Sequence, residues 1–142
     1  MISKLLKKGQ LVREDKSQQE INELFHIVDR DLRDSQTDEL SEDWQFGIAY
    51  NAALKLATIL IRAHGYRVRG TGFHLNTIQL IPEFLGEESI ASQVFLDACR
   101  TKRNILEYDS IGGVTIQEVK ELQDFVHEFR DLVKNKINDC GF

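Results

Sequence analysis

The sequence contains few of the residues that mark disulfide scaffolds, flexible linkers or membrane spans. Its 142 residues include one proline, Pro82, and two cysteines, Cys99 and Cys140, and no stretch is rich in Gly, Ser and Pro. The cysteines form no Cys-x-x-Cys pair, so we expect neither a disulfide framework nor a structural zinc site. The longest apolar run, near 54–61, is interrupted by polar residues and is too short to cross a bilayer. We therefore expect a reduced, cytoplasmic protein with no contact with a membrane.

Length and composition predict one domain. A hydrophobic content of 42% over 142 residues is enough for one full core. No internal repeat or linker divides the chain. We predict a single helical domain over residues 1–142.

Hydrophobic periodicity predicts helices along nearly the whole chain. An amphipathic stripe over 17–33 begins with Ser17 and Glu20 at capping-box spacing. The stretch 44–64 is apolar nearly all round, which predicts a central helix that ends at Gly65. Further helices are predicted over 3–14, 73–85, 87–109 and 115–137. No segment alternates like a strand, so the prediction is an all-α, antiparallel up-and-down bundle of four long helices plus short ones.

The central helix carries its polar side chains in one narrow sector. They follow one another at i, i+4, i+7 and i+11: Asn51, Lys55, Thr58 and Arg62. This sector either reaches solvent or lines a cleft with the arginines of the helix at 87–109. Lys55 and Arg62 would strengthen the positive field there, which favours the cleft. The remaining apolar faces exceed what a small domain easily covers, which indicates a homodimer or a partner protein.

The helix predicted over 87–109 separates an apolar face from a face with arginines. At about 100° per residue, one face carries Ala91, Val94, Phe95, Ala98 and Ile105. The opposite face carries Arg100, Arg103, Asn104 and Glu107, with Tyr108 at the seam. Two arginines, an asparagine and a tyrosine suit an oxyanion or phosphate better than the usual mixture of Glu and Lys. The alternative interpretation is an ordinary solvated face.

Charge is unevenly distributed along the chain. The formal net charge of −5 speaks against a wholly basic nucleic-acid binder. Residues 55–103 nevertheless carry seven Lys and Arg against four Asp and Glu, a formal charge of +3, while the remainder carries −8. An anionic ligand is therefore expected at the middle of the chain.

The sequence has no other pattern of residues typical of a metal site or of acid–base catalysis. The histidines are scattered over different elements, without the i, i+4 pairing or the nearby acids of a metal-binding bundle: His26, His64, His74 and His127. Acidic pairs such as Glu87-Glu88 stand at helix starts, where the helix dipole explains them. We expect no metal site and no cofactor.

Three stretches resemble the HEPN (higher eukaryotes and prokaryotes nucleotide-binding) family. On the penultimate long helix, Arg103 is followed by the polar Asn104 and, after three more positions, by the ring of Tyr108. The run Ala49-Tyr50-Asn51-Ala52-Ala53-Leu54-Lys55 is similar to the family's second core helix, which begins with an aromatic and small residues. Phe73-His74, after a glycine-rich loop, resembles the start of the next helix. The resemblance covers roughly residues 44–137.

The resemblance implies a homodimer whose penultimate helices meet and form a composite cleft for RNA or a nucleotide. Many members cut RNA without metal: the Arg holds the scissile phosphate and a His transfers a proton as the 2′-hydroxyl attacks. Arg103 and Tyr108 would take these two catalytic positions, and Asn104 the polar position beside them. The predicted cleft adds Arg100, Asn51, Lys55 and Arg62 as ligand-binding residues. Because a free tyrosine titrates near pH 10, Tyr108 in place of His favours binding over efficient cleavage.

Three hypotheses about function remain open at this point. The first is a HEPN-like dimer that binds RNA or a nucleotide, as a weak metal-independent ribonuclease or a toxin-like defence component. The second is a non-catalytic helical interaction module, paired with a nucleotidyltransferase as some HEPN-like proteins are. The third is an unrelated helical enzyme or regulator that uses His64 or His74.

Overall fold

A computed structural model describes residues 1–108 and 113–142, without the side chains of 106–108. The short elements are α1 (Ile2–Lys7), β1 (Leu11–Arg13), β2 (Tyr66–Val68), α4 (Phe73–Gln79), α5 (Ile81–Leu85) and a 3₁₀ turn (Glu87–Ser89). The long helices are α2 (Gln18–Ser35), α3 (Glu42–Ala63), α6 (Ile90–Tyr108) and α7 (Ile116–Asn138). The prediction of an all-α bundle with four long helices is confirmed.

Helix α3 forms the centre of the bundle, as its apolar sequence predicts. It packs against α2, α7, α6 and α4, and most of its side chains are buried. Among the described helices it is long and apolar enough to cross a bilayer, but 72% of its most apolar window is buried inside the fold, as in a core helix. The expectation that α3 keeps bare apolar faces for a partner is wrong, because its own chain covers them.

Local capping signals place the starts of three long helices. The Ser17 hydroxyl accepts the backbone N–H of Glu20, and the Ser41 hydroxyl accepts that of Trp44. Thr115 and Glu118 form a reciprocal capping box at the start of α7. These contacts satisfy backbone N–H groups that a helix leaves unpaired at its first turn. The helix starts were therefore readable from the sequence.

The N-terminal segment departs from the prediction of a helix over 3–14. Helix α1 ends at Lys7, Gly9 adopts a positive φ of 70°, and strand β1 follows. Strand β1 pairs antiparallel with β2, with Val12 opposite Arg67. Strands of three residues are too short for a reliable alternation pattern, so tertiary pairing rather than sequence periodicity defines them. This small sheet fastens the N-terminal segment to the end of α3.

The apolar face predicted for helix α6 is largely exposed in the structure, and the face with the arginines is the more buried one. Its apolar residues Val94 and Ile105 are 62% and 49% exposed, whereas Arg103 on the opposite face is half-buried. Leu96 and Cys99 supply the buried contacts on the inner side. A wheel shows which residues share a face, but both faces of this helix contain apolar residues, so packing against α3 and α4 decides which one is inside.

Candidate phosphate-binding site

Three side chains from three helices meet where α6 packs on α3 and α4. The guanidinium carbon of Arg103 lies 5.8 Å from the centroid of the Tyr50 ring, within cation–π range. The Tyr50 hydroxyl oxygen lies 3.0 Å from Nδ1 of His74. Tyr50 is only 1% exposed, while Arg103 and His74 are half-buried. We call these residues the Arg103 cluster.

The loop before α4 determines where His74 lies. Gly72, the N-cap of α4, has a positive φ of 77°, which glycine adopts without strain. The helix therefore starts immediately after the glycine and places His74 in its first turn, near Tyr50. The ring of Phe73 packs edge-on against His74 with 6.1 Å between centroids and is 37% exposed. An accessible aromatic ring thus borders the cluster.

The environment keeps the Tyr50 hydroxyl protonated. Burial raises the pKa of Tyr50 to about 12, although the positive charges of Arg103 and Arg100 act in the opposite direction. A neutral phenol introduces no negative charge beside the arginines. The ring beside Arg103 therefore adds no charge of its own to the cluster.

The other residues predicted on α6 lie near Arg103. Nε of Arg100 donates a hydrogen bond to Asp97 Oδ1 at 2.8 Å, and Arg100 is half-buried. Asn104 is also half-buried, directly after Arg103. The side chain of Tyr108 lies outside the described part of the structure. Arg100 and Asn104 are thus neighbours of the cluster on the same helix.

The polar sector of α3 does not join these residues as a unit. Nδ2 of Asn51 donates to Oδ2 of the buried Asp31 on α2 at 2.8 Å. Lys55 is half-buried one turn further along α3. The structure thus places Asn51 against α2 rather than beside Arg103.

Arg62 is a buried structural residue. It is 2% exposed, and its Nε donates to Glu20 Oε1 at 2.6 Å. Its terminal nitrogens donate to the backbone carbonyl oxygens of Glu14, Asp15 and Tyr66. The expectation that Arg62 lines a cleft with Arg100 and Arg103 is corrected, because these acceptors hold its guanidinium at the junction of α2, α3 and β2.

Two glutamates and a second arginine, all partly exposed, surround the buried Arg62. Arg67 on β2 donates to Glu14 and to both carboxylate oxygens of Glu20. Burial raises the pKa of Glu20, but hydrogen bonds from Arg67 and Arg62 outweigh it and hold the pKa below its usual value. We call Arg62, Arg67, Glu14 and Glu20 the Arg62 network. It joins the N-terminal segment to the central helix.

The remaining histidine and cysteine contacts form a separate group. His64 Nδ1 contacts the backbone oxygen of Leu60 at 2.7 Å, and its Nε2 lies 3.4 Å from Cys140 Sγ. Burial lowers the pKa of His64. Within residues 1–108 and 113–142, no three His, Cys, Asp or Glu side chains are placed to hold a metal ion.

Two surface grooves are lined by residues outside the cluster. One of about 300 Å³ is lined by residues of α2 and α7, including Asp29 and Arg130, which pair with each other at 2.7 and 3.1 Å. Another of about 370 Å³ lies beside the start of α7. Neither groove includes Tyr50, His74 or Arg103. Because Asp29 already bonds the N–H edge of Arg130, the cation that this groove adds for an anion is Lys134 alone.

Sequence reasoning identified Arg103 but not its two companions. The resemblance uses Tyr50 and His74 only to mark the starts of two helices, and His74 otherwise enters only in the hypothesis of an unrelated enzyme. One signal was present in the sequence. His74 lies in the first turn of a helix that follows a glycine-rich loop, and a side chain at such a place can point at a neighbouring helix. Its partner Tyr50 lies 24 residues away in the chain, and no local pattern encodes that pairing.

Comparisons with protein-family models, with curated proteins and with solved structures found no match for this chain. The functional proposal is therefore drawn from the geometry and chemistry of the cluster, together with the resemblance of its motifs.

Proposed function

We propose that this chain is a HEPN-like helical domain of the cytoplasm that binds the phosphate groups of RNA or of a nucleotide at the Arg103 cluster. The observation that carries the proposal is the contact of Arg103 with Tyr50, whose hydroxyl bonds His74. A guanidinium held against a ring loses less conformational freedom when it binds a ligand. Phosphate oxygens bind the N–H edge of a guanidinium, often in two parallel hydrogen bonds.

The surroundings favour a nucleotide over a bare anion. Phe73 borders His74 and is partly exposed. Stacking of a base on such a ring contributes about 1–3 kcal/mol in single-strand binding proteins. Asn104 adds an amide that both donates and accepts hydrogen bonds. Arginine for phosphate, an aromatic ring for a base and an amide for a base edge are the components of a single-stranded RNA reader.

RNA cleavage would be a further step at the same site. A group must take the proton of the attacking 2′-hydroxyl, and the resemblance gives that position to Tyr108. The proposal therefore centres on binding, with weak metal-independent cleavage, of the kind expected in a toxin-like defence component, as the activity to test beside it.

The test is incubation of purified protein with end-labelled single-stranded RNA in the absence of metal, following both binding and cleavage. Arg103→Ala is expected to weaken binding about 10- to 150-fold, since hydrogen bonds to charged groups contribute about 1.5–3 kcal/mol. Arg33→Ala is the matched control, because Arg33 is exposed on α2 and the charge change is the same. Equal weakening by both variants would show non-specific attraction and contradict the proposal. Cleavage that Arg103→Ala abolishes would add the ribonuclease activity.

A second candidate function is supported by the outer face of α6. Exposed residues recur at alternating intervals of three and four: Ala91, Val94, Ala98, Thr101 and Ile105. This is the spacing of a helix-pairing seam, and the alanines allow close approach. The function would be that of a non-catalytic interaction module.

The occupant that we propose for this face is a second copy of the chain. The exposed seam runs along most of the length of α6. Antiparallel pairing of two α6 helices along it would oppose the two helix dipoles favourably. A homodimer would thereby form around the helix that carries Arg103. A nucleotidyltransferase, which the resemblance suggests as a partner, is the competing occupant.

A further inference from the structure

The hydroxyl of Tyr50 is buried and needs a hydrogen-bond acceptor. A buried hydroxyl proton without an acceptor is unfavourable, because the hydroxyl has lost its hydrogen bond to water. Within the described residues, Nδ1 of His74 is the hydrogen-bond partner of this hydroxyl, at 3.0 Å. The direction of this one bond therefore matters to both side chains.

Two arrangements of the protons are possible between these groups. A neutral imidazole has one nitrogen that donates and one that accepts. If Nδ1 carried the proton and donated to Tyr50, the buried phenol proton would have no acceptor in the described part of the chain. If Tyr50 donates to Nδ1 instead, the bond satisfies the phenol and the ring proton must be on Nε2. The second arrangement leaves no buried donor unsatisfied.

We infer that Tyr50 holds His74 in the tautomer protonated at Nε2, so that His74 binds a phosphate oxygen of the ligand as a hydrogen-bond donor beside Arg103. The identity of the ligand rests on the proposed function, but the tautomer does not. Tyr50 is then a positioning residue, and His74 is a second binding residue for the phosphate group.

The tautomer also limits what the site can catalyse. Nε2 carries its proton in both the neutral and the cationic ring, so it is not an acceptor in either state. His74 therefore does not act through Nε2 as the base that removes a proton from a 2′-hydroxyl. A histidine and an arginine in one site suggest the proton-transfer and phosphate-binding groups of a ribonuclease. Because Tyr50 donates to His74 Nδ1, both His74 Nε2 and Arg103 are hydrogen-bond donors instead.

Nuclear magnetic resonance of protein labelled with ¹⁵N-histidine tests the tautomer directly. At about pH 8.5, well above the ordinary histidine pKa, the signals of His74 are identified by their loss in His74→Gln. We expect an unprotonated Nδ1 that accepts a hydrogen bond and a protonated Nε2. Protonation of Nδ1 in the wild-type protein would overturn the inference without any variant.

Tyr50→Phe removes the hydroxyl and keeps the ring. We expect the His74 nitrogens to shift towards a mixture of both tautomers, while Tyr66→Phe, a change at a half-buried tyrosine on β2, leaves them unchanged. A purely structural role of Tyr50 would not move these signals. Unchanged His74 nitrogens in folded Tyr50→Phe would contradict the assignment of Tyr50 as the positioning residue.

The binding role is tested with the same end-labelled single-stranded RNA. His74→Gln keeps an N–H donor and is expected to bind within about threefold of the wild type, whereas His74→Ala is expected to bind about tenfold more weakly. Binding that depends on Arg103 but is equal in His74→Ala and the wild type would overturn the inference and leave the proposed function standing. Absence of RNA binding by the wild type would overturn the proposed function and the binding role of His74, and the nitrogen signals would still decide the tautomer.

Discussion

Arg62 belongs to the central helix α3 and Arg103 packs against it, yet different groups surround the two arginines. Arg62 is 2% exposed and donates to a carboxylate and to backbone carbonyl oxygens. Arg103 is half-buried and rests on the ring of Tyr50. Oxygen acceptors of its own chain thus hold the buried Arg62 guanidinium and make it part of the scaffold. Under the proposed function, the half-buried Arg103 beside an aromatic ring contacts a ligand.

The largest effect is expected where the scaffold arginine is removed. Arg62→Met should lower the free energy of unfolding by about 3–5 kcal/mol, because three backbone carbonyl oxygens lose their charged donor and Glu20 keeps only Arg67. Arg69→Ala, on an arginine whose side chain is 58% exposed, should change it by less than about 0.5 kcal/mol. Urea denaturation measures both. A loss below about 1 kcal/mol for Arg62→Met would contradict the division between the two arginines.

The raised pKa of Tyr50 predicts a loss of stability at alkaline pH. The folded pKa of about 12 exceeds the ordinary value of 10.0, so the unfolded state ionises first and stability falls from pH 10 towards pH 12. Two pH units correspond to about 2.7 kcal/mol. In Tyr50→Phe the free energy of unfolding should not show this decrease, as measured by denaturation at a series of pH values.

The thiol of Cys99 also affects the free energy of unfolding at alkaline pH. Burial raises the pKa of its thiol to about 12, so it adds a fall in stability of the same sign. The difference between the wild type and Tyr50→Phe isolates the contribution of Tyr50. Parallel curves for the two proteins above pH 10 would argue against a buried, neutral phenol next to Arg103.

Arg103, the proposed ligand-binding arginine, should give the reverse pattern of Arg62. Arg103→Ala is expected to change the free energy of unfolding by less than about 1 kcal/mol, as for a half-buried side chain. It should lower the slope of log affinity for RNA against log salt by about 0.7, the effect of one phosphate contact on a single strand. A series of binding titrations at increasing salt measures this. An unchanged slope would mean that Arg103 does not meet a phosphate.

The smallest effect on stability is expected on the outer face of α6. Val94→Glu should change the free energy of unfolding by less than about 0.5 kcal/mol, because Val94 is exposed. It should nevertheless convert the proposed homodimer to a monomer, as measured by sedimentation equilibrium. Leu132→Glu, at a position of α7 that is 51% exposed, is the control that should leave the dimer intact. A wild type that is monomeric at all concentrations would exclude the homodimer and leave a different partner for this face.

The difference between the arginines also shows what a helical wheel can and cannot predict. The wheel placed Arg62 in the polar sector of α3 and Arg103 on the polar face of α6, and both groupings follow from 3.6-residue periodicity. It did not say which acceptor or ring would lie opposite each side chain. For α6 it also did not say which face is inside, since Leu96 and Cys99 lie on the buried side while Val94 and Ile105 are exposed.

The sequence by itself determined the features that depend on neighbours three or four residues away. These are the helix starts at Ser17, Ser41 and Thr115, the central place of the all-round apolar α3, and the helical class of the domain. Each results from short-range capping or from the amount of apolar surface that must be buried.

Tertiary structure alone decided which side chains form the candidate site. Arg62 meets Glu20 across 42 residues, and Tyr50 meets His74 across 24. Such pairings depend on how helices and the small sheet pack together, which no local periodicity records. The same residue type therefore became scaffold at one end of α3 and candidate ligand contact beside Tyr50, because burial and the nearest acceptors differ between the two places.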